Sequence, residues 1–294
     1  MAILQESELI LNADGSIYHL GIRPEHLADT IILVGDPQRV EKVSQYFDAI
    51  EFQQQRREFV TCTGRIGQQR FTCLATGIGT DNIDIVLNEL DALVNVDLST
   101  RQIKEQHTTL TFVRLGTSGS IREDLPVDSL LVANYGIGLE GLLLFYKQNR
   151  NTATELLRQQ FTAYLEERNF VFPIAPTFAS ADQDLVARFQ GADWRQGISI
   201  TATGFYAPQN RTIRAQSVVS DLFDWMQDFQ FDNKLHITNL EMETSAIYGM
   251  ANILGHRALA LNAILANRPT GRFASDPKGI EQGLIRQFFE VYLS

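Results

Sequence analysis

Three arginines, each inside its own short motif, carry the chemistry this chain could do: Arg39 in Val34-Gly35-Asp36-Pro37-Gln38-Arg39-Val40, Arg57 in Arg57-Glu58-Phe59, and Arg114 in Arg114-Leu115-Gly116-Thr117-Ser118-Gly119. A guanidinium fork matches the oxygens of a dianionic phosphate, and such charge-assisted bonds are about twice as strong as neutral ones. Converging on one point, the three would build a phosphate site. Two further motifs suggest what lies beside it. Asn239-Leu240-Glu241-Met242-Glu243-Thr244 offers a carboxylate, Glu243, to the hydroxyls of a ribose, and Phe205-Tyr206-Ala207-Pro208-Gln209-Asn210-Arg211 offers a ring, a carboxamide and a cation to a pyrimidine. Gln209 can pair with both a carbonyl and an N–H of uracil, while Arg211 can stabilise negative charge on a departing base. The chemistry such a set could perform is cleavage of a glycosidic bond with phosphate as the attacking group.

Each motif also has a plainer reading. Asp36 is a good helix cap ahead of Pro37, with Arg39 as its surface ion pair. Read as a site, Gly35 brings an amide close to an anion and Arg39 folds back from the first helical turn, where the helix dipole favours negative charge. Arg114 ends a buried-looking strand, so its charge needs either an anion or a structural carboxylate. The Gly116-Thr117-Ser118-Gly119 run after it reads as a turn presenting amides and two hydroxyls. Arg57 by itself is an ordinary surface arginine. Glu243 either accepts from a sugar hydroxyl, worth about 1.5 to 3 kcal/mol, or merely complements a helix dipole at roughly 0.3 to 1 kcal/mol. Met242 packs on the ribose or fills the core. Thr76-Gly77-Ile78-Gly79-Thr80 could also present amides to an anion, but lacks the third glycine and the acid of a dinucleotide site.

The elements that must position these residues alternate. Apolar β-rich runs at 31–34, 59–63, 70–75, 111–115, 129–133, 198–203 and 258–266 are separated by helical patterns. The clearest helix begins near Thr80 or Asp81 as cap and repeats Ile83, Val86, Leu87, Leu90, Leu93 and Val94 on one face. Another starts at Asp36-Pro37, and more are expected at about 152–168, 217–228, 243–254 and 279–293. The polar stretch 96–109 reads as a surface excursion and 269–279 as a mobile loop. One α/β domain over 1–294 is expected.

At 294 residues with 44% hydrophobic content, the chain can bury a sizeable core without a membrane-length apolar run. Its formal net charge of -10 argues against nucleic acid or an anionic membrane as partner. The acidic start, Met1-Ala2-Ile3-Leu4-Gln5-Glu6-Ser7-Glu8, is unlike a targeting segment, so the cytoplasm is the expected location. Cys62 and Cys73 read as buried reduced thiols, and no histidine stands at metal-ligand spacing.

In this order the motifs resemble the uridine phosphorylase branch of the nucleoside phosphorylase family, discontinuously from about His19 to Arg268. The resemblance implies a three-layer α/β/α fold around a mixed, partly barrel-like β-sheet, and phosphorolysis of a pyrimidine nucleoside to free base and ribose 1-phosphate. It assigns phosphate to Gly35, Arg39, Arg114 and Thr117, ribose to Met242 and Glu243, and uracil to Gln209 and Arg211, with Phe205 against base or sugar. It also implies a homo-oligomer, at least a dimer and in the family commonly a hexamer. In it His19 of Tyr18-His19-Leu20-Gly21 reaches the 5′-hydroxyl, and Arg57 the phosphate, of the neighbouring subunit's site. Arg114, Glu243 and Arg211 would be the catalytic groups, working by position and electrostatics, with phosphate as co-substrate and no cofactor or metal expected.

Purine-specific relatives carry an aspartate that protonates the leaving base after the penultimate strand, where this chain has Ala266-Asn267-Arg268. Arg268 would support the O4 side of uracil, directly or through water. One departure is Gly77-Ile78-Gly79-Thr80-Asp81-Asn82 in place of the typical Gly-Ile-Gly-Gly-Pro-Ser, which leaves a monovalent cation near Asn82 open. The rival readings are a purine phosphorylase or nucleosidase on the same scaffold, and a nucleoside-binding protein without turnover.

Overall fold

The run Thr-Ile-Ile-Leu-Val is buried at every residue and forms β1, Thr30–Val34, as its β-branched, uncharged composition requires. The computed structural model describes residues 3–148, 151–191, 193–219 and 225–294. The chain divides into two compact units, 1–113 with 254–257, and 114–253 with 258–294.

In the first unit, β1 pairs in parallel with β4, Gln69–Ala75. From β4 the sheet continues antiparallel through β3, Phe59–Ile66, to β2, Ala49–Arg56. That last strand has no apolar run, since Ala-Ile-Glu-Phe-Gln-Gln-Gln-Arg alternates exposed and half-buried positions, so hydrophobicity does not announce it. Helix α1, Pro37–Ser44, starts as expected: the Asp36 carboxylate accepts from Gln38 N at 2.9 Å and Pro37 occupies the first turn. Helix α2, Thr80–Asn95, buries Ile83, Val86, Leu87, Leu90 and Leu93 on one face. Its cap is Gly79, not Thr80 or Asp81; at φ +98° the backbone turns in a region that disfavours any side chain. The 96–109 stretch is less irregular than expected, holding the small hairpin β5, Val96–Asp97, and β6, Gln102–Ile103.

Strand β7, Thr111–Ser120, carries the chain from the first unit into the second. It runs through Gly116-Thr117-Ser118-Gly119, so the turn expected there is in fact strand. Those small residues act as close-packing positions, not as a loop. The second unit also contains β8, Leu130–Leu139, β9, Thr177–Ser180, β10, Trp194–Ala202, β11, Gln230–Phe231, and β12, Leu235–Glu241. Chain order ends with β13, Arg257–Asn267, and β14, Arg272–Phe273, the latter inside the stretch expected to be a loop. Strands β8, β10 and β12 are parallel neighbours, β13 lies antiparallel to β8, and β7 pairs with β12 through Ser120↔Asn239 and Gly119↔Leu240. The order β12-β10-β8-β13-β7, closing on β12, makes a partly closed five-stranded barrel.

Helices α3, Thr152–Glu167, α4, Gln183–Arg188, and α6, Pro277–Tyr292, begin at Asn151, Asp182 and Asp276 caps. Helix α5, Thr244–Leu254, begins directly after β12. It lies so close to β8 that a Cβ at Gly136 would stand 2.8 Å from the Ser245 Cα, which is why glycine is needed there. The helix expected at 217–228 includes residues 220–224, which lie outside the described residues; Trp225 and Met226 beyond them are helical. Among the described residues no helix is long and apolar enough to cross a membrane.

Candidate active site

Arg114 leaves β7 in the barrel wall and ends against Glu243, bonded to Oε2, with Glu241 Oε2 3.8 Å away. All three are buried: Arg114 is 7% exposed, Glu241 4% and Glu243 3%. Arg114 shares its face of the strand with Gly116, and a Cβ there would fall inside the guanidinium, so the glycine is the space the arginine occupies. Asn262 on β13 adds its Oδ1, 3.5 Å from Nη1. Burial pulls the Arg114 pKa down, but Glu243 and Glu241 outweigh it and hold the group above its ordinary value.

Glu241 has a second task. Its Oε2 accepts from the amides of Glu243 and Thr244, both at 2.9 Å, and its Oε1 accepts from Thr201 Oγ1 at 2.5 Å. It thus caps α5 from within β12 and fixes the backbone that carries Glu243. Burial raises its pKa while Arg114 opposes the rise. Asn239, two residues back, spends its amide on Ser118 and Ser199 hydroxyls. Thr117 and Met242 flank the Arg114–Glu243 pair in sequence, both half-buried, and neither bonds to it among the described residues.

The expected base residues form one cluster in the same unit. Gln209, 1% exposed, lies in a 3-10 turn at 207–209 closed by Asn210 in the left-handed region at φ +52°. Its Oε1 accepts from Arg211 Nη1, which also donates to the Phe205 carbonyl at 2.8 Å. The Arg211 guanidinium stacks 3.9 Å from the Phe205 ring centroid. Arg268, just past the end of β13, donates to the carbonyls of Gln209 at 3.1 Å and Asn210 at 3.0 Å, clamping the loop. Arg211 has no carboxylate partner among the described residues; burial, and then Arg268, push its pKa down to about 10, so it remains charged at neutral pH. A desolvated Arg211 with the positive charge of Arg268 beside it favours an incoming negative charge.

The first unit holds two further groups. Parallel pairing aligns Val34 with Ala75, so the Gly35 and Gly77 turns leave β1 and β4 side by side; a Cβ on Gly35 would sit 3.5 Å from the Gly77 carbonyl oxygen. Arg39 on α1 is 7% exposed, so it is not the surface residue of the plainer reading, although Asp36 is indeed a cap. Arg57 sits exposed between β2 and β3 at φ +53°, with its guanidinium 5.2 Å from the Tyr18 ring. The same Tyr18 ring meets His19 edge-on at 4.8 Å. His19 Nδ1 bonds Glu89 Oε1 of α2 at 2.6 Å.

A family model described as the phosphorylase superfamily matches residues 29–282. The chain belongs to the phosphorylase superfamily. A uridine phosphorylase from Thermococcus kodakarensis is 28% identical to it over 267 residues, covering 88% of this chain and 80% of that one. A uridine phosphorylase from Haemophilus influenzae is 25% identical over 255 residues, 86% of each chain. The crystal structure of a Trypanosoma brucei nucleoside phosphorylase that shows uridine phosphorylase activity matches with a TM-score of 0.85 at 27% identity, covering 97% of this chain and 99% of that one. The mixed α/β architecture with its partly closed barrel is therefore the nucleoside phosphorylase fold.

Several groups of this phosphorylase were not singled out by sequence reasoning. Glu241 was visible only as part of Glu-Met-Glu; its signal as a cap is a carboxylate just ahead of the small-residue helix Thr244–Leu254. Nothing in the sequence links Glu89 to His19 or Asn262 to Arg114, pairs 70 and 148 residues apart. Asp91, His107 and His256 bring three donor atoms within 4.8 Å of one another. However, His256 Nδ1 accepts from Leu110 N at 3.1 Å, so a neutral ring carries its proton on Nε2, 3.1 Å from Asp91 Oδ1. That ring has no lone pair left for a metal.

Proposed function

We propose that this phosphorylase cleaves uridine with inorganic phosphate, giving uracil and ribose 1-phosphate. The observation that carries the pyrimidine reading is the stretch Ala266-Asn267-Arg268, which offers no acid where purine-specific relatives carry a proton donor, and within it the side chain of Asn267. Its amide nitrogen donates to the carbonyls of Arg122 at 2.8 Å and Leu125 at 2.9 Å, and its oxygen accepts from Thr270. Asparagine has no acidic proton and this one is spent on the fold, so this stretch gives a leaving base no proton, and in this reading the base departs as an anion. Arg211, beside Gln209 and without a carboxylate partner among the described residues, suits uracilate.

In this reading the C1′–N1 bond stretches first and its electron pair goes to uracil, where Arg211 and the Gln209 amide receive the charge. Because Gln209 Oε1 already accepts from Arg211, its NH2 group is the donor for a uracil carbonyl. Phe205 lies against the base or sugar, and Arg268 acts through the loop it clamps. Positive charge grows on the ribose, and Glu243 accepts from its hydroxyls with Met242 on its face. A phosphate oxygen then bonds C1′; Gly35, Arg39, Arg114 and Thr117 are its ligands. His19 and Arg57 serve the site of a neighbouring subunit, at the 5′-hydroxyl and the phosphate, so the working form is a homo-oligomer. No covalent enzyme intermediate is required, and catalysis comes from positioning and fixed charge.

Uracil release from uridine should rise with phosphate concentration, and Arg114→Ala should abolish the phosphate-dependent rate. Release without phosphate would mark a nucleosidase. Faster turnover of inosine than uridine would mark a purine enzyme, and near-normal rates in the variant would remove Arg114 from the site.

A further inference from the structure

Three groups on one short segment share a single acceptor. The carboxylate of Glu89, on α2, takes the backbone N–H of His19 at 2.9 Å, the backbone N–H of Leu20 at 2.9 Å, and the His19 ring nitrogen Nδ1 at 2.6 Å. Its side chain is 13% exposed and that of His19 is 28% exposed, so the acid is the better buried of the two and the ring keeps an accessible part. An ionised carboxylate only accepts, so the proton of this contact belongs to Nδ1 whether the ring is neutral or charged. Nε2 is then the nitrogen left to meet a ligand. The same segment is also held by Arg56, whose Nε donates to the Tyr18 carbonyl at 2.9 Å. Tyr18 in turn lies between His19 and Arg57, the two residues read above as serving a neighbouring site.

We propose that Glu89 is a positioning residue for the reaction: it fixes the tautomer and the place of His19, so that Nε2 faces the 5′-hydroxyl of a nucleoside bound by a neighbouring copy of the chain. The inference rests on the role given to His19 in the proposed function. Glu89 touches no substrate atom. It acts by holding the Tyr18–Leu20 backbone against α2 and by denying the ring its other protonation pattern, much as a carboxylate orients a histidine that ligates a metal. A ring with the proton on Nε2, or one free to rotate, would meet the hydroxyl in a mixture of states, and the substrate would lose part of its binding.

Uridine and 5′-deoxyuridine, compared in the oligomeric enzyme, separate this role from a structural one. Glu89→Ala and Glu89→Gln should each narrow the preference for uridine over 5′-deoxyuridine, read as the ratio of their kcat/KM values, by about tenfold for Ala and less for Gln, whose amide oxygen can still accept. His19→Ala should narrow it as far as Glu89→Ala does, and the double variant no further. Equal losses on both substrates, or a double variant whose losses add, would overturn the proposal. Side-chain 15N NMR of His19 gives a readout independent of turnover: Nδ1–H in the wild type, shifting toward Nε2–H in Glu89→Ala. Nε2–H in the wild type would refute the role of Glu89 even if uridine is the substrate. Failure of the wild type to release uracil with phosphate would refute the substrate reading and leave the tautomer test standing.

Discussion

Gly116 shows how much one residue decides at this site. Period two along β7 puts it on the face of Arg114, and the guanidinium lies where its Cβ would be. Gly116→Ala should therefore expel the Arg114 side chain from its bond to Glu243 and lower kcat/KM by about a hundredfold or more, on the scale of losing one preorganised charged donor. Phosphate titration of the purified variant checks this, with circular dichroism to show that the fold persists; wild-type kinetics would mean the arginine has another place to go. The individual types at this scale were legible: a buried strand-end arginine requires an anion, and the structure supplies Glu243 within the chain itself. What was not legible was that the carboxylate read as the ribose acceptor also pairs with Arg114, because that depends on where β7 and the β12–α5 junction lie in space.

At the scale of elements, the junction between β12 and α5 bears the site. Glu241 ends the strand, caps the helix through two amides and lies 3.8 Å from Arg114, so it couples the backbone at Glu243 to the guanidinium. Glu241→Ala should cost about 3 to 5 kcal/mol, the range for breaking a buried charged network, and well above the ~1 kcal/mol of an exposed cap. Urea unfolding at neutral pH measures it; a loss below about 1 kcal/mol would show that the cap alone matters. Helix α1 followed from its cap and α2 from its apolar periodicity because those signals are local, although the cap of α2 is Gly79. Strand β2 and the continuation of β7 through glycine, threonine and serine did not, since pairing with neighbours, and not hydrophobicity, makes them strands. For the same reason β14 emerged from a stretch that composition describes as loop.

For the molecule as a whole, the proposed function gives Arg57 to the phosphate and His19 to the 5′-hydroxyl of a site in a second copy of the chain. Subunits that lack different parts should then complement one another. Arg114→Ala and Arg57→Ala enzymes, each nearly inactive, should regain activity when mixed under conditions that let subunits exchange. Mixed oligomers contain some sites that receive an intact Arg114 from one chain and an intact Arg57 from the other. No recovery after exchange confirmed by mass spectrometry would place Arg57 in its own chain's site or outside the reaction. The α/β class and the family membership were within reach of the sequence, because motif order and strand-helix alternation survive at low identity.

Residue types and their spacing alone indicated which chemistry was available: guanidinium groups for an anion, a glutamate for a sugar, and a carboxamide and a cation for a pyrimidine. Those are properties of side chains and short motifs, which do not require distant contacts. The tertiary structure decided that Arg114 answers to Glu243, that Arg268 clamps the loop carrying Gln209, and that Glu89 holds His19. Each of these joins segments dozens of residues apart, and strand pairing and helix packing, not local propensity, determine which segments meet.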